Sequence, residues 1–288
     1  MKTPLIIISG YLGAGKTTLL KHILKNTKKK IAIIMNEFGE IGIDTKTIQG
    51  DNIQIKELLE GCVCCSLQSE LKPALKELIK SYNPDTIIIE TTGIAESNNL
   101  VLDIDKDINF VKLESVITLV DADITKRYPQ THGNFEKQVE AANIILLNKT
   151  DLVTKQDLQE IKQKLEQINN KATIIETKNA KIDLNLILDI EFKPIKNLKK
   201  TKTKSYQSFT INTSNTNLTI PKLKKALSNL PKEIFRAKGH IDIKDETYLI
   251  NYVGSKYNIE KSDKTNNNKL IFIGIDIKNL KKEIENLF

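Results

Sequence analysis

The chain has 288 residues, 40% of them hydrophobic and 28% charged, enough to bury a real core as one large or two ordinary globular domains. No apolar run approaches the roughly 18 residues of a membrane span, and the amino terminus lacks the basic, apolar and small-residue succession of a signal peptide, so a cytoplasmic protein without a membrane partner is expected. The net charge of +8 does not by itself point to nucleic acid: from Lys196 onward there are 19 Lys+Arg against 9 Asp+Glu, and before it 25 against 27, so the excess lies in the tail third with little aromatic content among it.

The first apolar run, LIIIS (Leu5 to Ser9), leads into GYLGAGKTT, which fits G-x-x-x-x-G-K-[ST] at Gly10, Gly15, Lys16 and Thr17. Glycines let successive backbone N–H groups turn inward on phosphate oxygens, the following helix offers its positive end, Lys16 reaches the β and γ phosphates and the Thr17 hydroxyl is a magnesium ligand. Gly13, Ala14 and Thr18 complete the expected nucleotide-binding stretch, Thr18 reading equally well as an early-helix residue. A second strand, IAIIMN (Ile31 to Asn36), runs into NEFGEIGID (Asn36 to Asp44). Its two glycines, three acids and phenylalanine have the makings of a switch loop, with Glu37 and Glu40 as candidate metal ligands or γ-phosphate sensors.

All three cysteines then fall in EGCVCCS, as Cys62, Cys64 and Cys65. Soft donors in this spacing suit zinc, and also cobalt or copper. Three thiolates on one short loop cannot close a four-coordinate site, so a further ligand such as Glu37, a water or a partner must complete it. The rival is redox chemistry, because Cys62 and Cys65 have C-x-x-C spacing. Pro73 is expected to interrupt the helix that follows.

TIIIE (Thr86 to Glu90) opens ETTG, where Glu90 is placed to hold magnesium through water and the Gly93 N–H to meet the γ-phosphate. SVITLVD (Ser115 to Asp121) ends in an acid that either supports the site or caps the following helix. NIILLN (Asn143 to Asn148) ends in NKTD, giving Asn148, Lys149 and Asp151. A carboxylate there accepts two hydrogen bonds from the N1–H and amino group of guanine, a donor pair that adenine lacks. ATIIET (Ala172 to Thr177) is the last strand of this style. Runs apolar on both faces, alternating with helix-length segments, predict an α/β P-loop NTPase domain with a doubly wound, mostly parallel sheet at 1–193.

A Lys-rich linker is expected at 194–206, followed by a smaller carboxyl-terminal α+β domain with an antiparallel sheet at 207–288. Its strands are expected near Phe209 to Thr213, Gly239 to Ile243, Tyr248 to Val253 and Leu270 to Ile275, with a helix opened by Pro221 and another from Asn279.

Taken in order, SGYLGAGKTTLL, NEFGEIGID, GCVCCS, ETTG, NKTDL and RAKGHIDI (Arg236 to Ile243) resemble the CobW-type P-loop GTPases, relatives of the urease and hydrogenase nickel-insertion GTPases. The resemblance covers nearly the whole chain. It implies GTP and Mg2+ as cofactors and slow intrinsic GTP hydrolysis. It further implies handling of Zn2+ or Co2+ and delivery to a client metalloenzyme or cofactor-synthesis protein, with room for a nucleotide-dependent homodimer. The family often carries a histidine after the strand matching Ser115 to Asp121; here Asp123 and Ile124 follow, and the only histidines are His22, His132 and His240. Two other readings stand beside it: a P-loop kinase acting on a small molecule, and an RNA-binding module regulated by nucleotide and carrying a redox-active thiol cluster.

Overall fold

The computed structural model describes residues 2–35, 53–57, 66–91, 97–127, 133–189, 198, 206–213, 218–253, 256–263, 268–275 and 277–288. The chain forms two compact units, Met1–Thr203 and Lys204–Phe288. No helix among the described residues is long and apolar enough to cross a membrane.

The first unit is built on strands β1 (Thr3–Gly10), β2 (Ile31–Met35), β3 (Ile53–Glu57), β4 (Thr86–Glu90), β5 (Val111–Asp121), β6 (Ile144–Asn148) and β7 (Thr173–Glu176). All seven are parallel and lie in the order β3-β2-β4-β1-β5-β6-β7. β1 is central, and its four consecutive apolar residues show why such runs are continuous rather than alternating. Leu5 and Ile7 enter one core with Leu71, Leu75, Leu78, Leu100 and Val101 from helices α2 (Ser66–Tyr82) and α3 (Ser97–Asp107). Ile6 and Ile8 enter another with Leu19, Leu20 and Ile23 of helix α1 (Lys16–Asn26). Pleating sends neighbours to opposite faces, and both faces are covered. Each fully buried isoleucine contributes about 1.5–3 kcal/mol.

On the far half of the sheet, Ile145 and Leu147 of β6 pack with Phe135 and Val139 of helix α5 (Gly133–Glu140) and Ile161 and Leu165 of helix α6 (Lys155–Ile168). Ala180, Ile187 and Leu188, beyond β7, extend the core around α1. The short helix α4 (Ala122–Arg127) follows β5 directly.

The expected break at Pro73 is not seen. α2 is one helix on both sides of the proline, whose ring lies on the exposed side. An interior proline costs about 3 kcal/mol, which the burial of Leu71, Leu75 and Leu78 together outweighs. The strand β3 was not expected: Ile53, Gln54 and Ile55 are half-buried, and IQIKE carries only a short alternation of apolar and polar residues.

The second unit is antiparallel throughout. Strands β8 (Tyr206–Asn212), β9 (Ile234–Ile243), β10 (Glu246–Val253), β11 (Lys256–Ser262) and β12 (Lys269–Ile275) lie in the order β11-β10-β9-β12-β8. One face carries Ala237, Ile241, Ile250, Tyr252, Leu270 and Phe272, packed with Leu223 and Leu227 of helix α7 (Ile220–Ser228) and Ile284 of helix α8 (Lys281–Glu285). Pro221 stands in the first turn of α7, where Thr219 caps the helix by accepting the Lys222 N–H at 3.4 Å. A 3-10 turn, Lys278–Leu280, precedes α8, so the last helix proper begins later than Asn279. β11 is the other strand that sequence patterning missed.

Candidate nucleotide site

In a parallel sheet the carboxyl ends of neighbouring strands come out along one edge, and ligands gather there. Register places Ile8 beside Glu90, Gly10 beside Leu119 and Asp121 beside Asn148. The residues expected to meet a nucleotide therefore leave the sheet from four adjacent strands, β4, β1, β5 and β6.

The phosphate loop leaves β1 through Gly10 at φ +137°, where an added Cβ would stand 2.4 Å from the Leu119 carbonyl oxygen. It closes at Gly15, whose φ of +110° and whose approach to Asn148 exclude a side chain equally firmly. Ala14 donates its N–H to Tyr11 O at 3.1 Å and is itself buried, while Gly13 is exposed. Gly15 caps α1 without a side-chain hydrogen bond, and the first turn of α1 has no acidic residue. The positive end of the helix is thus left for an anion. Lys16 is 9% exposed, and its Nζ donates to Gly10 O at 3.0 Å and Tyr11 O at 3.5 Å. Thr17 is half-buried and Thr18 exposed on the same turn.

Glu90, 8% exposed, ends β4 between the ends of β2 and β1. Thr91 follows and is fixed by its N–H and hydroxyl, both donated to Ile8 O at 3.0 and 3.4 Å. A threonine hydroxyl and a carboxylate are hard oxygen donors, the set that suits magnesium.

Asn148 does more than its place in NKTD suggests. Its Nδ2 donates to Ala14 O in the phosphate loop at 2.8 Å. Its Oδ1 accepts from the Thr177 hydroxyl at 3.1 Å and from the Ala180 N–H at 2.9 Å. One buried side chain therefore joins the phosphate loop, the end of β6 and the loop after β7. That last loop, 177–180, was not singled out from the sequence, because it acts through one common hydroxyl, that of Thr177, and the backbone N–H of Ala180. Its turn is marked only by positive φ at Asn179 and Ala180, 52° and 51°. The same segment is tied to α1 where His22 Nε2 lies 2.7 Å from Ile182 O.

Lys149 takes the left-handed conformation, φ 60° and ψ 36°, and is followed by a 3-10 turn, Thr150–Leu152, that presents Asp151 exposed. Thr150 steadies the turn through its hydroxyl on Thr177 O at 3.2 Å. Asp121, left above as either support or cap, caps α4 and also pairs with Lys149. Its Oδ1 accepts the Ile124 N–H at 3.1 Å, and its Oδ2 meets Lys149 Nζ at 2.5 Å.

Gly93, Glu37, Glu40, His132 and the cysteines Cys62, Cys64 and Cys65 lie outside the described residues. No metal-binding group of His, Cys, Asp and Glu occurs among the described residues. His240 sits in β9 of the second unit, its imidazole held towards the neutral form by burial and by Lys238.

Comparison with known proteins agrees with this geometry. Residues 4–176 match the family model for the CobW/HypB/UreG nucleotide-binding domain, and residues 206–288 match that for the cobalamin synthesis protein cobW C-terminal domain. A Sinorhizobium sp protein named zinc chaperone CobW is 33% identical over 222 residues, 66% of this chain and 63% of that protein. Zinc chaperone YjiA of Escherichia coli (strain K12) is 35% identical over 192 residues, 64% of this chain and 60% of that protein. Zinc-regulated GTPase metalloprotein activator 1 of Dictyostelium discoideum is 31% identical over 229 residues, 65% of this chain and 48% of that protein. The chain thus spans between 48% and 63% of the length of these curated relatives. The crystal structure of Zn(II)-bound YjiA GTPase from E. coli shares the fold, with a TM-score of 0.53 at 24% identity over 100% of this chain and 98% of that one.

Proposed function

Because the chain belongs to the CobW/HypB/UreG family of nucleotide-binding proteins, we propose that it binds and hydrolyses GTP and uses that cycle to carry zinc to a client protein. The observation that carries the nucleotide half is Asn148, which holds the phosphate loop and the base-side loops in one hydrogen-bonded unit. Phosphate and base subsites fixed to each other in advance reduce the ordering cost of binding.

In this reading Lys16 exchanges the carbonyls of its own loop for β- and γ-phosphate oxygens. Asp151 accepts the guanine N1–H and amino group. Thr17 and, through water, Glu90 would hold magnesium, which neutralises charge on the β- and γ-phosphates. Gly93 is assigned to the γ-phosphate.

Zinc is cargo here. The donor chemistry of Cys62, Cys64 and Cys65 fits it, and an incomplete thiolate set finished by Glu37, water or the client can open, whereas four thiolates would close the site. The names of the relatives support zinc ahead of cobalt for this chain.

The test is a competition titration of zinc and of cobalt into the reduced protein with Mg·GTP, with Mg·GDP and without nucleotide, beside a variant with all three cysteines changed to serine. GTP should tighten zinc binding by about tenfold, roughly 1.4 kcal/mol of coupling, and the variant should lose the site. Equal affinity in all three states would remove the link between nucleotide and cargo and leave a nucleotide-binding protein with an unrelated thiol cluster.

A further inference from the structure

Asp121 is 3% exposed at the end of β5, and burying a carboxylate is costly unless both oxygens are used. One oxygen caps α4 at Ile124, work that a neutral asparagine does as well. Only the other needs the charge, and it meets the ammonium of Lys149, whose side chain is 34% exposed.

Lys149 is held at both ends. Its backbone sits at φ 60°, a conformation unfavourable for a residue with a side chain. Its Nζ is tied to Asp121 at the ends of the paired strands β5 and β6. A lysine left to solvent keeps its rotamer entropy; here that freedom is given up before any ligand arrives. α4, which the same aspartate caps, is anchored at its other end where Lys126 reaches Asp157 at 2.7 Å. The support behind Lys149 is therefore itself fixed.

We propose that Asp121 is a positioning residue for base recognition: by holding the Lys149 ammonium it keeps the apolar stem of that lysine as a preformed wall beside the turn carrying Asp151, sharpening selection of guanine over adenine nucleotides. The inference rests on reading Asn148 to Asp151 as the guanine site.

The test measures GDP and ADP affinity by titration calorimetry on the full chain, for wild type, Asp121→Asn, Lys149→Met and the double variant. Asp121→Asn retains an oxygen for the Ile124 N–H and removes only the charge, so the unfolding midpoint should move little while the ratio of GDP to ADP affinity falls about tenfold. Lys149→Met keeps the stem length without the ammonium and should lower the ratio similarly. The double variant should lose no more than Lys149→Met alone, since both changes delete one interaction.

An unchanged ratio in Asp121→Asn, or losses that add in the double variant, would overturn the proposal and leave Asp121 a helix cap. Should Asp121→Asn fail to fold, Lys149→Met at its partly exposed position decides alone, because a ratio equal to wild type refutes the wall. A wild-type chain with no preference for GDP over ADP would instead refute the guanine site itself, and the proposal with it.

Discussion

At Gly15 a single Cβ decides whether the site can form. The backbone is left-handed there, and the added carbon would stand 2.6 Å from Asn148 Nδ2. Gly15→Ala combines backbone strain with displacement of the side chain that joins the loops. A loss of about 1–3 kcal/mol is expected in urea unfolding, with GDP affinity reduced more than tenfold; wild-type values for both would show that the loop relaxes freely. Asn148→Ala should cost about 2–4 kcal/mol, because it strands the buried Ala14 carbonyl and Ala180 N–H together. Asn148→Asp keeps the acceptor and loses the donor, so its unfolding free energy should fall between the two. The glycines of the phosphate loop were legible in the sequence, since positive φ and close approach leave few other residues a choice. The bridging role of Asn148 was not. Its three partners lie 134, 29 and 32 positions away, and two of them are backbone groups that any residue supplies. Asp121 was legible as a strand-ending acid, but choosing between cap and support needed the position of Lys149.

The helix α6 shows how much of an element is written locally. Thr154 and Asp157 form a capping box, with the Asp157 N–H donated to the Thr154 hydroxyl oxygen at 3.2 Å and the Thr154 N–H donated to Asp157 Oδ2 at 2.8 Å. Lys126, the Thr154 hydroxyl donating to Asp157 Oδ2 at 2.7 Å and the Thr154 N–H hold the Asp157 carboxyl down from its ordinary value of 3.8 to about 2. A carboxyl with a depressed folded-state pKa stabilises the fold above its unfolded value, and that contribution is lost as pH falls from about 4 towards 2. Asp157→Asn should therefore lower stability at pH 7 and flatten the decline in that window. An acid-unfolding curve as steep as that of wild type would mean that other groups set the slope. Strands buried on both faces were equally legible, because water is absent from either side and the apolar run is unbroken. β3 and β11 were not, for a shared reason. Both are edge strands among the described residues, β3 pairing with β2 and β11 with β10, and an edge strand needs no unbroken apolar run. In β11 the sequence KYNIEKS offers charge where a buried strand would offer isoleucine, as suits an edge that must not pair with another chain.

For the molecule as a whole, each unit has its own core, the second centred on Phe272 between Phe209, stacked at 5.3 Å, and Phe288, edge-on at 5.8 Å. We propose that the Lys-rich stretch 194–206 acts as the linker between them. A fragment covering 204–288 should then unfold cooperatively by near-ultraviolet circular dichroism; a gradual, sloping trace would show that its core depends on the first unit. The order of the seven-stranded sheet has a consequence of its own. On one side of β1, the ends of β5 and β6 carry Asp121 and the Asn148 turn. On the other side, β2 and β3 are the strands that precede Glu37 and the three cysteines in the chain, and β4 ends in Glu90. If the proposed function holds, selection of the base and choice of the cargo are encoded in separate stretches of the chain, 148–151 and 37–65, with the phosphate loop and Glu90 between them in sequence or sheet order. The stretch from 36 to 65 could then be traded for that of a relative with a different metal preference while guanine selection is inherited intact, so that descendants change freight without changing fuel.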